Sequence, residues 1–127
     1  MGIQIQWADP KQSIIQLTLE RGWTWDDLYD AIRQADRLIT SVPHTVNLVI
    51  DIHKAGGIPG DFMKVAGDVF ASGDARANEG QKIVVGANRL IQMAYGAFQK
   101  VYGHQLKDRP FQFAPSLDAA YAMLGSV

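Results

Sequence analysis

The residues of this chain that could do chemistry gather after one apolar run, where Asp51 and His53 stand two apart and Lys54 follows. Two apart on a strand means the same face. A carboxylate beside an imidazole suits acid/base work, because His titrates near neutrality and the carboxylate orients it. The structural reading is that Asp51 caps a neighbouring backbone turn and His53 is a solvated strand end; it is the expected one. The stretch Lys54-Ala-Gly-Gly-Ile-Pro-Gly60 follows, and its glycines, Gly56 and Gly57 among them, let backbone N–H groups approach an anion ahead of a helix N-terminus. Its spacing is neither that of a Walker A loop nor that of a Rossmann turn, so a plain connector is expected. Asp61 is the expected N-cap of the next helix; it would repel a phosphate, although it could also imitate a phosphorylated residue. Ligands of open parallel sheets bind beyond the carboxyl ends of the strands. On that ground Asp51, His53, Lys54, Gly57, Asp61 and Asn88 are the candidate contacts to a ligand or partner.

Other chemistries find little purchase. His44, His53 and His104 fall on a turn, a strand end and a loop, without the i, i+4 spacing of a helical metal pair, so neither a metal site nor a cofactor is expected. No serine sits in a Gly-x-Ser-x-Gly elbow, and with no cysteine the chain has neither thiol nucleophile nor disulfide. The 12 Lys and Arg nearly balance the 13 Asp and Glu, so no basic field draws nucleic acid or an anionic membrane surface. Met1 to Asp9 lacks the basic and apolar regions of a leader, and no run of about 18 apolar residues could span a bilayer. These features predict a soluble, cytoplasmic protein without membrane insertion.

The elements that must position these residues follow from hydrophobic period. Ile3, Ile5 and Trp7 alternate with Gln4 and Gln6, and after a turn at Pro10 to Gln12 so do Ile15, Leu17 and Leu19 with Gln16, Thr18 and Glu20. Two half-wet strands paired as a hairpin are predicted. Thr24 and Asp27 have the form of a capping box. A helix should follow, carrying Trp25, Leu28, Tyr29, Ile32, Ala35, Ile39 and Val42 on one stripe and stopped by Pro43. Thr45 to Ile52 is β-branched and apolar on both faces, the mark of a central strand covered on two sides.

Beyond the glycine-rich loop, Asp61 should open a helix with Phe62, Val65, Ala66, Val69 and Phe70 inward, closed by Ser72 and Gly73. Asp74 to Gly80 reads as a polar loop, and Lys82 to Gly86 as a short buried strand parallel to its predecessor. Asn88 should cap a helix from Leu90 to Tyr102 whose stripe, widened by Met93, Tyr95 and Tyr102, either leaves surface for self-association or belongs to a well-covered helix. A loop from His104 to Pro110, a strand from Phe111 to Ala114 and a helix capped by Ser116, with Leu117, Ala120, Tyr121 and Leu124 inward, complete the chain. With 47% hydrophobic and 20% charged residues over 127 positions, one globular α/β domain spanning 1–127 is expected, in the order ββαβαβαβα.

This order and size resemble the STAS family, the SpoIIAA-like anti-sigma factor antagonist domains, over nearly the whole chain. Leu48-Val49-Ile50-Asp51-Ile52 looks like that family's central strand, and Ser116 to Leu124 is similar to its closing helix. The resemblance implies a mostly parallel sheet with an antiparallel N-terminal strand, packed helices, and a binding role. Family antagonists carry Asp-Ser-Ser/Thr-Gly at the start of the helix after the central strand, where a kinase phosphorylates the hydroxyl. Here the matching positions are Pro59, Gly60, Asp61 and Phe62, so the phospho-switch is missing. A non-enzymatic interaction or regulatory module is therefore expected, with a protein partner and a homodimer. The alternatives are a carrier for a small apolar ligand or lipid, with a SEC14-like layout, and an enzyme using Asp51 and His53. Trp23 and Trp25 flank the first helix cap, as a hydrophobic staple or as a partner anchor.

Overall fold

The computed structural model describes residues 2–56, 79–86, 92–93 and 111–125. The first two strands, β1 (Ile3–Trp7) and β2 (Ile14–Leu19), pair antiparallel from Ile3 opposite Leu19 to Trp7 opposite Ile15. Their turn is tied by Asp9, whose Oδ1 accepts the N–H groups of Ser13 at 2.9 Å and Ile14 at 3.1 Å while its other oxygen accepts the Ser13 hydroxyl. His44 Nε2 lies 2.8 Å from the Gln12 carbonyl oxygen, which gives that imidazole a structural place beside the turn.

Helix α1 (Trp25–Thr40) opens on the anticipated box: Thr24 Oγ1 accepts the Asp27 N–H and Asp27 returns the bond to the Thr24 N–H, each at 3.1 Å. Trp23 and Trp25 meet edge to face across this cap, with ring centroids 5.0 Å apart. The helix stops at Thr40 rather than against Pro43, because the residue before a proline is pushed out of the α region. Strands β3 (Val46–Asp51), β4 (Glu79–Val85) and β5 (Phe111–Ala114) then add in parallel, so the five-stranded sheet runs β1-β2-β3-β4-β5. Ser116 caps α2 (Leu117–Met123) by accepting the Ala119 N–H at 3.1 Å. The α/β class, the antiparallel start, the parallel remainder and the central place of β3 agree with the expectation. The helix from Asp61 and the loop from His104 lie outside the described residues, as does the helix from Asn88 apart from Gln92 and Met93, which are helical and exposed.

Among the described residues, α1 and α2 pack on opposite faces of the sheet. Under α1, Ile15, Leu17, Val46 and Leu48 are wholly buried with Ala31, Ala35 and Ile39, and Ile3, Ile5 and Trp7 pack at their margin. On the other face Ile14, Val49, Ile83, Val85 and Ala114 cluster with Ala120 of α2, and Leu117, Tyr121 and Leu124 are partly buried against them. Two expectations need correcting. β2 is not half wet: Gln16 and Thr18 are half-buried and Ile14 fully so, because the second face of the strand is sheltered as well. β4 begins at Glu79, within the stretch read as loop, because Asn47 Oδ1 accepts the Gln81 N–H at 2.8 Å and draws the polar residues into the ladder. The register shifts at that point, between Val46 and Leu48. Gly80 fits there since a Cβ would lie 2.1 Å from Asn47 Oδ1.

Candidate functional site

The carboxyl ends of the parallel strands meet where β3 leaves the sheet. Ile52 still donates to the Val85 carbonyl at 2.9 Å, and the Ala55 N–H then closes a turn onto the Ile52 carbonyl at 3.1 Å. Asp51 is 1% exposed, while His53 and Lys54 stand in solvent. Asp51 Oδ1 accepts the backbone N–H of His53 at 3.1 Å and also meets His53 Nδ1. One carboxylate oxygen thus fixes both the turn and the ring, as the capping reading of Asp51 requires. A proton on Nδ1 faces the carboxylate, which leaves Nε2 for solvent or a partner.

Two glycines shape the approach. Gly86, at the end of β4 with φ +89°, backs onto His53 so closely that a Cβ would lie 2.6 Å from the His53 Cβ. Gly56, with φ +79°, lies against Arg21, whose Cγ would stand 3.6 Å from an added Cβ. Arg21 belongs to the exit of β2 and is exposed. The rim of this edge therefore offers an imidazole and the two cations Lys54 and Arg21, with the only carboxylate among these four residues hidden beneath.

Behind the rim runs a polar row that the sequence reading missed. Thr18 stands opposite Asp51 in the β2–β3 register, on the face that α2 partly covers. Gln16 Nε2 donates to Thr18 Oγ1 at 3.1 Å, and the Tyr121 hydroxyl donates to Gln16 Oε1. Partial burial, and then the carboxylates of Asp51 and Asp9, push the Tyr121 phenol above its ordinary value. Its sequence signal was a Tyr in place of an aliphatic residue on the inward stripe of a helix, since a buried Tyr hydroxyl needs a partner.

Of the six sequence candidates, Asp51, His53 and Lys54 are brought to one strand exit, with Asp51 and His53 in contact; Gly57, Asp61 and Asn88 lie outside the described residues. Among the described residues no group of three or more His, Asp or Glu side chains could hold a metal ion, and no helix is long and apolar enough to cross a membrane. Neither the known family models nor the curated proteins match this chain.

Proposed function

We propose that the chain is a non-enzymatic interaction or regulatory module of STAS-like layout, without the phosphorylatable residue of that family, which binds a protein partner through the exit of β3. What supports the layout is a sheet whose strands follow in chain order, antiparallel only at the start, with the Asp-bearing strand in the centre. The observation that carries the binding role is the division of labour at that exit: buried Asp51 holds the turn, and His53, Lys54 and Arg21 face outward. An outward cationic rim on a fixed backbone suits an acidic surface on the partner, since complementary charge raises the rate and the specificity of encounter.

Native mass spectrometry of the chain isolated from its source tests this. The expected result is a stoichiometric complex with another protein, lost in Arg21→Glu/Lys54→Glu at unchanged melting temperature. A bound apolar molecule in place of a protein would move the chain to the class of small-ligand or lipid carriers. The Asp51–His53 contact favours a second reading, acid/base chemistry at Nε2, in which His53→Ala abolishes a turnover that Arg21→Glu leaves intact.

A further inference from the structure

We propose that the open edge of β1 pairs antiparallel with β1 of a second copy, joining two sheets into one about a two-fold axis at Ile5. The inference builds on the homodimer expected from the sequence, not on the β3 exit, and assigns it a surface. Among the described residues β1 ends the sheet on one side. The Glu20 N–H donates to the Gly2 carbonyl at 2.7 Å and the Ala8 N–H to the Ile14 carbonyl at 2.8 Å, so the even-numbered residues of this stretch carry the bonds to β2. Alternation then turns the N–H and C=O groups of Ile3, Ile5 and Trp7 away from β2, toward the edge.

Strand edges in natural proteins are blunted by charges, prolines or bulges. The segment Ile-Gln-Ile-Gln-Trp has neither charge nor proline, and its pairing with β2 is unbroken. It is also self-complementary. With Ile5 opposite Ile5 of the copy, Ile3 meets Trp7 and Gln4 meets Gln6, giving about six backbone bonds from outward groups and continuing the apolar row on the α1 side. That row has reason to continue: Ile15, Leu17 and Leu48 are wholly buried, while their neighbours Ile3, Ile5 and Trp7 are only half covered, as are Leu38 and Val42 at the same margin. No like charges face one another in this register, since the opposed polar residues are neutral glutamines.

Sedimentation equilibrium tests the pairing on the full chain. A five-residue edge falls at the low end of specific interfaces, so a reversible dimer is expected at roughly 1–100 μM. Gln4→Lys/Gln6→Lys, at two exposed positions, should weaken it by about tenfold or more by placing like charges opposite each other. Mixing that variant with Gln4→Glu/Gln6→Glu should restore association. Because the chain has no cysteine, Gln4→Cys mixed with Gln6→Cys should give a disulfide-linked heterodimer, and either variant alone should not. A dimer indifferent to the lysines and not captured by the cysteines overturns the edge assignment while leaving self-association standing. A strict monomer overturns both, and leaves the partner reading at the β3 exit to its own test.

Discussion

The two faces of the sheet are built for different ends. On the α1 side β2 and β3 present Ile15, Leu17, Val46 and Leu48, all wholly buried, against a helix that lies over them with Ala31, Ala35 and Ile39. On the α2 side the same strands present Gln16, Thr18 and Asp51 beside Ile14 and Val49, and a seven-residue helix adds a Tyr hydroxyl. Apolar burial is non-directional and scales with area, so the first face supplies cohesion. Hydrogen bonds in a half-dry setting contribute modestly to stability but fix directions, so the second face sets where the β3 exit and His53 point. The residues on this second face are the ones whose replacement should alter behaviour more than stability.

The largest expected effect tests the cohesive face. Leu48→Ala leaves a cavity at the centre of the sheet and should lower unfolding free energy by about 2–5 kcal/mol, read as a fall in the urea midpoint at constant slope. Thr18→Val, on the neighbouring strand and the other face, removes only the acceptor of the Gln16 hydrogen bond and should cost about 1 kcal/mol. Equal losses would erase the distinction between the faces. Next is Gly86→Ala, where the new Cβ meets the His53 backbone and φ is +89°. A loss of about 1–3 kcal/mol is expected from strain, together with a changed ring environment for His53 in NMR spectra. An unchanged His53 resonance would mean that the two strand exits are not coupled.

How far the sequence carried can be judged residue by residue. Period and capping chemistry located β1, β2, α1, β3 and α2, because each rests on a local signal: alternation, a Thr24–Asp27 box, a doubly apolar run, a Ser116 cap. Asp51 and His53 were legible as a pair from their spacing alone. The polar row was not, because Gln16 and Thr18 look the same in sequence whether water or a later helix faces them. Tyr121 and Gln16 are 105 residues apart, and no local period links them. Glu79 to Gln81 likewise joined β4 through a side chain of β3, a tertiary override of a polar, glycine-bearing stretch.

Tyr121→Phe sharpens the comparison on the polar face itself. Removing one neutral hydrogen bond to Gln16 should cost about 1 kcal/mol, by thermal or urea unfolding near neutral pH. The alkaline limb carries a second signature. A phenol held above its ordinary value of 10.0 in the folded state leaves stability intact below pH 10 and lowers it as pH rises through the folded value. The variant should lose this decline, and an identical alkaline limb would mean that neither burial nor the carboxylates of Asp51 and Asp9 hold the Tyr121 phenol above its ordinary value.

The smallest effect is expected at the turn where the polar face begins. Burial alone would raise the Asp9 carboxyl, but the Ser13 hydroxyl and the N–H groups of Ser13 and Ile14 outweigh it and hold the carboxyl below its ordinary 3.8. A carboxyl depressed in the folded state contributes stability that is present above pH 3.8 and is lost as pH falls through the folded value. Asp9→Asn should therefore flatten the fall in melting temperature below about pH 4 relative to the unmodified chain, with little change in shape above it. Because Asn retains one acceptor for the Ser13 and Ile14 N–H groups, the hairpin should keep its register, and backbone amide shifts of β1 and β2 check that it does. A variant that keeps the register and still shows the full acid limb would assign that limb to other carboxylates and leave Asp9 a purely geometric role in the turn.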